Sequence, residues 1–294
     1  MRGSLKVAAS VCAGAVLIAG CGSSSSQSSS AKQPPTATLT RAAYVSSTAP
    51  GYRAVISLKE NLPSVGQITA TGTGAFQLKP KHAGTMVMRL SIPSAASSGL
   101  GTLQMQVVYV PGTIYMKLPP QLASRIPGHK PWLLINLNQL GKAAGIPGLG
   151  SLANSSSSLN NPAQYVQYLR ATTNGTVRNL GKATINGVST THYHAVIDLN
   201  QLPSVVPASS RASVQQLVAT LKKRGTKTQL PIDAWIDSSQ RIRQVVTTYT
   251  VPVNGRQARI TTQVDFVQYG PQPAPTVPPA SQTQNLLSLA GAQP

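Results

Sequence analysis

Residues 103–118 read LQMQVVYVPGTIYMKL, and this stretch decides the fold class. Apolar and polar side chains alternate on both sides of Pro111-Gly112, which is the pattern of two antiparallel strands joined by a tight turn. Asn-Gly dipeptides predict two further hairpins. These join Thr176–Ile185 to Val188–Leu199, and Ile242–Val251 to Gln257–Tyr269. The chain is therefore predicted to fold around a mostly antiparallel sheet.

Other alternating segments extend this sheet to about nine or ten predicted strands. They are Tyr52–Lys59, Gly66–Leu78, Thr85–Ile92 and Gln229–Ile236. Gly72 and Gly74 stand two positions apart in one of these strands, where missing side chains favour sharp curvature or a close approach of the backbone. We therefore expect a strongly curved sheet.

Helical patterns interrupt the strands at a few places. Asn161-Pro162 places an N-cap residue before a proline at the first helical position, and Ser210 precedes apolar residues at helical spacing. Similar patterns predict helices at Leu39–Ser46 and Pro131–Ala144. A curved antiparallel sheet with a few amphipathic helices on one face is an α+β architecture.

The N-terminus has the features of an export signal. Arg2 and Lys6 accompany a 13-residue apolar run, Val7–Ala19, which is shorter than the about 20 residues that span a bilayer. The sequence Ile18-Ala19-Gly20-Cys21 resembles the bacterial lipobox, in which the cysteine thiol receives a diacylglyceryl group before cleavage in front of it. Residues 1–20 are therefore predicted to be a signal peptide, and Cys21 is predicted to carry palmitate-type acyl chains.

Composition divides the rest of the chain into three parts. Residues 21–38 are predicted to be the lipidated cysteine and a Ser-rich flexible tether, and residues 39–270 the folded domain. Residues 271–294 begin with five prolines in ten positions and are predicted to be a disordered tail. Because Cys12 leaves with the signal peptide and Cys21 is acylated, no disulfide is expected.

The charge balance excludes several functions. The chain carries 25 Lys and Arg against 5 Asp and Glu, a formal net charge of +20, yet only 10% of its residues are charged where about 25% is usual. The excess thus reflects a shortage of acids. Nine Tyr, two Trp and two Phe are few for a stacking platform, which argues against nucleic acid as a partner. With only 5 Asp and Glu, the chain also has few candidate residues for acid–base catalysis.

The sequence offers no catalytic site, metal site or cofactor site. No G-x-S-x-G nucleophile elbow is present. Asp233 and Asp237 stand about 13 Å apart along one strand, too far for a glycoside hydrolase pair, and Trp235 lies between them. His192, His194 and Asp198 share one predicted strand face, but His82 and His129 are distant in sequence. We therefore expect these histidines on a solvated face, without a metal.

The remaining candidate for a functional site is an apolar surface. One face of the predicted early strands holds methionines among aliphatic residues, and the predicted lining of a lipid cavity is Met86, Met88, Leu90, Leu103, Met105, Val107, Ile114 and Met116. Methionine suits adaptable apolar surfaces that hold variable ligands. Two interpretations stay open at this point: an ordinary core with methionine as filler, or a curved sheet that encloses a cavity for acyl chains.

The densest basic cluster follows one predicted helix. Lys222, Lys223, Arg224 and Lys227 are candidate contacts for phosphate or sugar-acid head groups. The same residues fit a second interpretation, in which cations near a helix C-terminus complement its dipole.

Several motifs together resemble the LppX/LprA/LprF/LprG lipoprotein family of high-GC Gram-positive envelopes, which is related in fold to the LolA/LolB carriers. They are the lipobox at Cys21, Gly187-Val-Ser-Thr-Thr-His-Tyr-His194, and Leu230-Pro-Ile-Asp-Ala-Trp-Ile-Asp237 followed by Arg241-Ile-Arg243. The chain departs from the family pattern at Gln240, where a turn glycine is frequent. The resemblance implies a half-open antiparallel β barrel over 39–270, with helices against its concave face and a cavity for lipids or lipoglycans.

The leading functional prediction is a non-enzymatic lipoprotein, anchored at the extracytoplasmic face of the cell membrane, that binds lipid or lipoglycan acyl chains and carries or presents them in the envelope. Its predicted partners are the lipid ligand, the membrane and an envelope transporter, and no nucleic acid. The alternative is a non-catalytic adhesion or scaffold module that binds anionic wall polymers or partner proteins.

Overall fold

Twelve strands form one sheet in the computed structural model, which describes residues 34–62, 66–80, 82–143, 172, 176–206, 208–223, 225–253 and 256–290. The predicted signal peptide, the lipidated Cys21 and the helix at Asn161-Pro162 lie outside these residues. The predictions made for them remain predictions.

Helices of 4 to 16 residues separate some of the strands along the chain. The strands are β1 (Gly51–Leu62), β2 (Gly66–Gln77), β3 (Ala83–Ser91), β4 (Thr102–Val110), β5 (Thr113–Lys117), β6 (Trp132–Asn136), β7 (Arg178–Ile185), β8 (Val188–Asp198), β9 (Gln229–Asp237), β10 (Ile242–Val253), β11 (Arg256–Tyr269) and β12 (Thr283–Asn285). The described α-helices are α1 (Pro35–Ser47), α2 (Pro120–Ala123), α3 (Leu137–Ala143), α4 (Leu202–Val205), α5 (Ala208–Lys223) and α6 (Leu286–Ala290).

The sheet is open and strongly curved, with the order β12-β6-β5-β4-β3-β2-β1-β11-β10-β9-β8-β7. All neighbouring strands are antiparallel except β12, which runs parallel to β6. Strands β1–β6 form one meander and β7–β11 a second, and the pairing of β1 with β11 joins the two. This arrangement confirms the predicted α+β half-open barrel and its three hairpins.

Two glycines of β2 allow neighbouring residues to approach the strand closely. A Cβ atom at Gly72 would stand 2.8 Å from Met86 Sδ, and one at Gly74 would stand 2.8 Å from the backbone oxygen of Thr85 and from the Phe76 ring. The prediction of a close approach at this glycine pair is therefore confirmed.

Helices α1 and α5 fill part of one sheet face. Leu39, Ala42 and Ala43 of α1 are at most 1% exposed, and they belong to the same core as Val214 and Val218 of α5. The sheet contributes Tyr52, Phe76, Ile232, Ala234, Val245, Val264 and Phe266, among other residues. The apolar residues at helical spacing after Ser210 were predicted to form one face of a helix, and Val214 and Val218 of that face are buried.

The structure differs from the sequence predictions at three boundaries. The helix predicted at Pro131–Ala144 is a strand, β6, followed by α3, because the continuous apolar run that starts at Trp132 suits either periodicity and pairs with β5. Helix α1 begins at Pro35, inside the predicted tether, since proline is favoured at a first helical position.

The third difference concerns the predicted disordered tail at 271–294. Its segment Thr283–Asn285 forms β12 and pairs with Trp132–Leu134 of β6. Lys130 Nζ donates a hydrogen bond of 3.1 Å to the Thr283 oxygen. The proline-rich run ends at Pro279, so the backbone N–H groups of Thr283–Asn285 are able to pair with an edge strand.

Candidate functional site

The strand register brings the eight predicted cavity residues together on one face of β3–β5. Met88 lies opposite Met105, Met86 opposite Val107, and Leu90 opposite Leu103. Val107 in turn lies opposite Met116 on β5. Cross-strand partners share a face and alternate positions share it along a strand, so Ile114 joins the same surface. We call these eight residues the β3–β5 apolar face.

Burial divides this face into two halves. Met86, Leu103, Met105 and Val107 are between 1% and 7% exposed, whereas Met88, Leu90, Ile114 and Met116 are half-buried. Met86 belongs to the core that α1 and α5 help to form. Among the described residues, Leu103, Met105 and Val107 are buried but are not members of that core.

Strand β6 extends the apolar face further than the sequence predicted. Leu133, 8% exposed, lies opposite Met116, and Ile135 lies opposite Ile114. Sequence reasoning missed both residues because it assigned their segment to a helix. Residues 132–135 form a continuous apolar run, so no periodicity in the sequence distinguished a strand from a helix there.

The basic cluster lies at the C-terminal end of α5 and in the connection to β9, not on the strands of the apolar face. Lys222 and Lys223 are exposed in the last turn of α5, and Lys227 is exposed before β9. Lys222 also lines a surface groove of about 680 Å³ with Arg211. Four strands stand between β9 and β3 in the sheet order. Arg224 lies outside the described residues.

The predicted histidine pair lies across the strands from an aspartate. Asp233 Oδ1 is 2.9 Å from His192 Nε2 and 3.1 Å from His194 Nδ1, and the Trp235 ring stacks on His192 with centroids 4.2 Å apart. Asp198 instead accepts a hydrogen bond from the N–H of Asn200. Within the described ranges, no group of three or more His, Cys, Asp or Glu side chains is placed to hold a metal ion.

The other strand aspartate has a structural role. Asp237 is 5% exposed. It accepts hydrogen bonds from the backbone N–H of Arg241 at 2.8 Å and from Arg243 Nε at 2.7 Å. Its carboxylate is therefore engaged by the β9–β10 turn. In the same region, the Tyr269 hydroxyl donates a hydrogen bond of 2.6 Å to the backbone oxygen of Ile242. Burial raises the pKa of Tyr269.

The fold and this surface define a class: a half-open α+β barrel whose sheet carries a wide apolar face. Comparison with solved structures finds the lipoprotein LppX of Mycobacterium tuberculosis at 16% identity and a TM-score of 0.46, covering 81% of this chain and 96% of that chain. It also finds LprF from Mycobacterium bovis at 14% identity and a TM-score of 0.41, covering 84% of this chain and 96% of that chain.

A LolA superfamily protein from Nitrosomonas europaea is similar at 8% identity and a TM-score of 0.27, covering 82% of this chain and 94% of that chain. LppX and LprF are members of the family that the sequence motifs resemble. No family model and no curated protein gives a significant match to the sequence. None of the helices in the described residues is both long enough and apolar enough to cross a bilayer.

Proposed function

We propose that this protein is a non-catalytic, membrane-anchored lipoprotein that binds the acyl chains of a lipid or lipoglycan and carries or presents them in the cell envelope. The observation that supports this most is the β3–β5 apolar face. It is continuous across the strands, and three of its buried residues, Leu103, Met105 and Val107, lie outside the core of α1 and α5.

The chemistry of this face suits an acyl chain. Burying a methylene group contributes about 0.8 kcal/mol, so a chain with about ten buried methylenes gains about 8 kcal/mol before the costs of association. Flexible methionine side chains adapt to acyl chains of different length and branching. Met88 and Met116 are half-buried, and Met88 also packs against the core that α1 and α5 help to form.

Anchoring rests on the lipobox at Cys21. Two or more acyl chains on that cysteine hold a protein at a membrane far more firmly than a single chain does. Export directed by the predicted signal peptide places the folded domain on the extracytoplasmic side, beside the lipids that it binds. The basic residues Lys222, Lys223 and Lys227 stay predicted head-group contacts, although four strands separate β9, which follows them, from β3 in the sheet order.

A matched pair of substitutions on β5 tests the acyl site. Met116→Glu places a carboxylate on the apolar face, whereas Thr113→Glu places the same group on the opposite face of the same strand. Both positions are half-buried. We expect Met116→Glu to weaken binding of a fluorescent fatty acyl probe by more than about tenfold, because an unpaired charge is costly to desolvate, and Thr113→Glu to leave binding nearly unchanged.

Native mass spectrometry of the chain purified from a host that acylates lipoproteins provides the second readout. We expect a lipid to co-purify with the unaltered chain and to be lost from the Met116→Glu variant. The absence of any co-purified lipid, together with no uptake of the fluorescent probe, would contradict the proposal.

A further inference from the structure

The face of β3–β5 opposite the apolar face contains a polar groove. Its floor includes the exposed residues Arg89, Gln104, Gln106 and Lys117, and the segment Leu118–Gln121 forms part of its lining. The groove has a volume of about 720 Å³, which is within the range of small-molecule sites, about 300–1,000 Å³. We call it the β3–β5 polar groove.

The strand register explains why these side chains converge. Arg89 lies directly opposite Gln104, and Val87 lies opposite Gln106. Gln106 lies opposite Lys117 on the next strand. Each of these positions alternates with a residue of the apolar face. One set of strands therefore presents an apolar surface on one side and, on the other, a surface where cationic and amide side chains flank the exposed Val87.

The groove continues toward β1 as a smaller depression of about 160 Å³. This depression shares Val87, Arg89 and Gln104 with the main groove and adds Thr71 and Thr73 of β2. The polar surface is therefore elongated across the strands from β5 to β2, with Arg89 at the place where its two parts meet.

The charge around the groove has one sign only. No Asp or Glu occurs between Glu60 and Asp198, so strands β2–β6 carry no acidic residue. In the part of the chain that the structure describes, the Arg89 side chain forms no ion pair or hydrogen bond. The Lys117 ammonium lies 5.9 Å from the centre of the Trp132 ring. An anion that enters the groove therefore does not compete with an acidic side chain of these strands for Arg89.

The side chains indicate the chemistry of the ligand. A free guanidinium binds phosphate or carboxylate with two parallel hydrogen bonds. Glutamine amides both donate and accept, as successive sugar hydroxyls require. Aromatic stacking surfaces, which single-stranded nucleic acid requires, are not among the residues that line the groove. A groove also accommodates a chain-like ligand better than a flat bilayer.

We propose that the β3–β5 polar groove is a second binding site, specific for an anionic oligosaccharide that carries phosphate or carboxylate groups. Arg89 binds the anionic group, and Gln104 and Gln106 bind the adjoining hydroxyls. The site goes beyond the proposed acyl-binding function and does not depend on it, since the two lie on opposite faces of the same strands. Together they would allow the protein to hold a lipid and a glycan at the same time.

Isothermal titration calorimetry on the full chain tests this site with three probes of equal length: a phosphorylated mannose oligosaccharide, an oligogalacturonate and a neutral mannose oligosaccharide. We expect the two anionic probes to bind and the neutral probe to bind far more weakly. Binding should also weaken as salt is raised, because the contact is between exposed charges. Equal binding of the neutral probe would overturn the proposal.

A matched pair of arginine substitutions separates the groove from net charge. Arg89→Gln should weaken binding of the anionic probes about tenfold or more, the loss expected for one charge-assisted contact. Arg178→Gln removes the same charge from the exposed strand β7 at the far edge of the sheet and should leave binding nearly unchanged. Equal losses in both variants would mean that overall charge, not the groove, attracts the probe.

Two further measurements distinguish the alternatives. Cosedimentation with anionic phosphatidylglycerol vesicles that carry no glycan tests a membrane surface as the occupant, and an equally strong loss there in Arg89→Gln would overturn the glycan assignment. Binding of the fluorescent fatty acyl probe should be unchanged in Arg89→Gln. Thus failure of the glycan site and failure of the acyl site give different results.

Discussion

The Ser46 side chain accepts a hydrogen bond of 2.9 Å from the backbone N–H of Ile242, which lies 196 positions away along the chain. Both residues are fully buried. The same hydroxyl donates to the Ala42 oxygen at 2.7 Å. A single side chain at the end of α1 therefore satisfies the first N–H of β10 and ties the N-terminal helix to the second half of the sheet.

Replacing Ser46 by alanine should destabilise the fold by about 1–3 kcal/mol, because the buried N–H of Ile242 would lose its partner. The free energy of unfolding in urea measures this change. Ser47→Ala is the control, since the exposed Ser47 hydroxyl donates only to the local Tyr44 oxygen. Equal effects of the two substitutions would contradict the role assigned to Ser46.

Replacing Asp237 by asparagine should cost more than replacing Asp233. The Asp237 side chain is 3% exposed and pairs with Arg243, and removing one partner of a buried pair leaves the other charge uncompensated. We expect a loss of at least about 2 kcal/mol in the free energy of unfolding. Asp233→Asn, at a side chain that is 30% exposed, should cost less than about 1 kcal/mol.

Alanine at Gly74 should be more disruptive than alanine at Gly72. The new methyl group at position 74 would meet the backbone oxygen of Thr85 at 2.8 Å, whereas the one at position 72 would meet the movable sulfur of Met86. Overpacking of this kind costs about 1–3 kcal/mol where the neighbour cannot move. Thermal unfolding of the two variants checks the order, and Gly72→Ala should also change fatty acyl probe binding by displacing Met86.

His82 should make stability dependent on pH in the acidic range. Burial lowers the pKa of His82, and its Nδ1 atom is buried without a hydrogen-bond partner among the described residues. The unfolded chain binds the proton at a pH of about 6.5 and the folded chain only at lower pH. Stability is thus retained above about pH 6.5 and falls as the pH drops below it.

The variant His82→Gln should remove this part of the pH dependence. Urea unfolding measured across the acidic range gives the slope of stability against pH for each chain. An unchanged slope in His82→Gln would show that other groups produce it.

Local patterns predicted those parts of the fold that depend on neighbouring residues. The β4–β5 hairpin follows from alternation around Pro111-Gly112, and Gly112 has the positive φ, 70°, that such a turn requires. The same alternation placed Met105 and Met116 on one face. Burial of Val214 and Val218 followed from helical spacing in the same way.

Features that depend on register between distant strands could not be read from the sequence. Asp233 lies opposite His194 only because β8 and β9 pair with a particular offset, although a long connection separates them. Sequence reasoning compared Asp233 with Asp237 instead. The neighbours of Arg89 in the polar groove depend equally on how β3, β4 and β5 align. The apolar run at Trp132 suited a helix until pairing with β5 decided its conformation.

The open sheet leaves two strand edges, and unpaired edges invite association between copies of a protein. The three-residue strand β12 covers β6 at one edge with polar side chains. At the other edge, β7 carries the exposed cations Arg178 and Lys182 and a bulge between Asn179 and Gly181. Like charges and an irregular edge oppose end-to-end joining of two sheets. The two edges therefore oppose polymerisation of the half-open barrel through strand pairing.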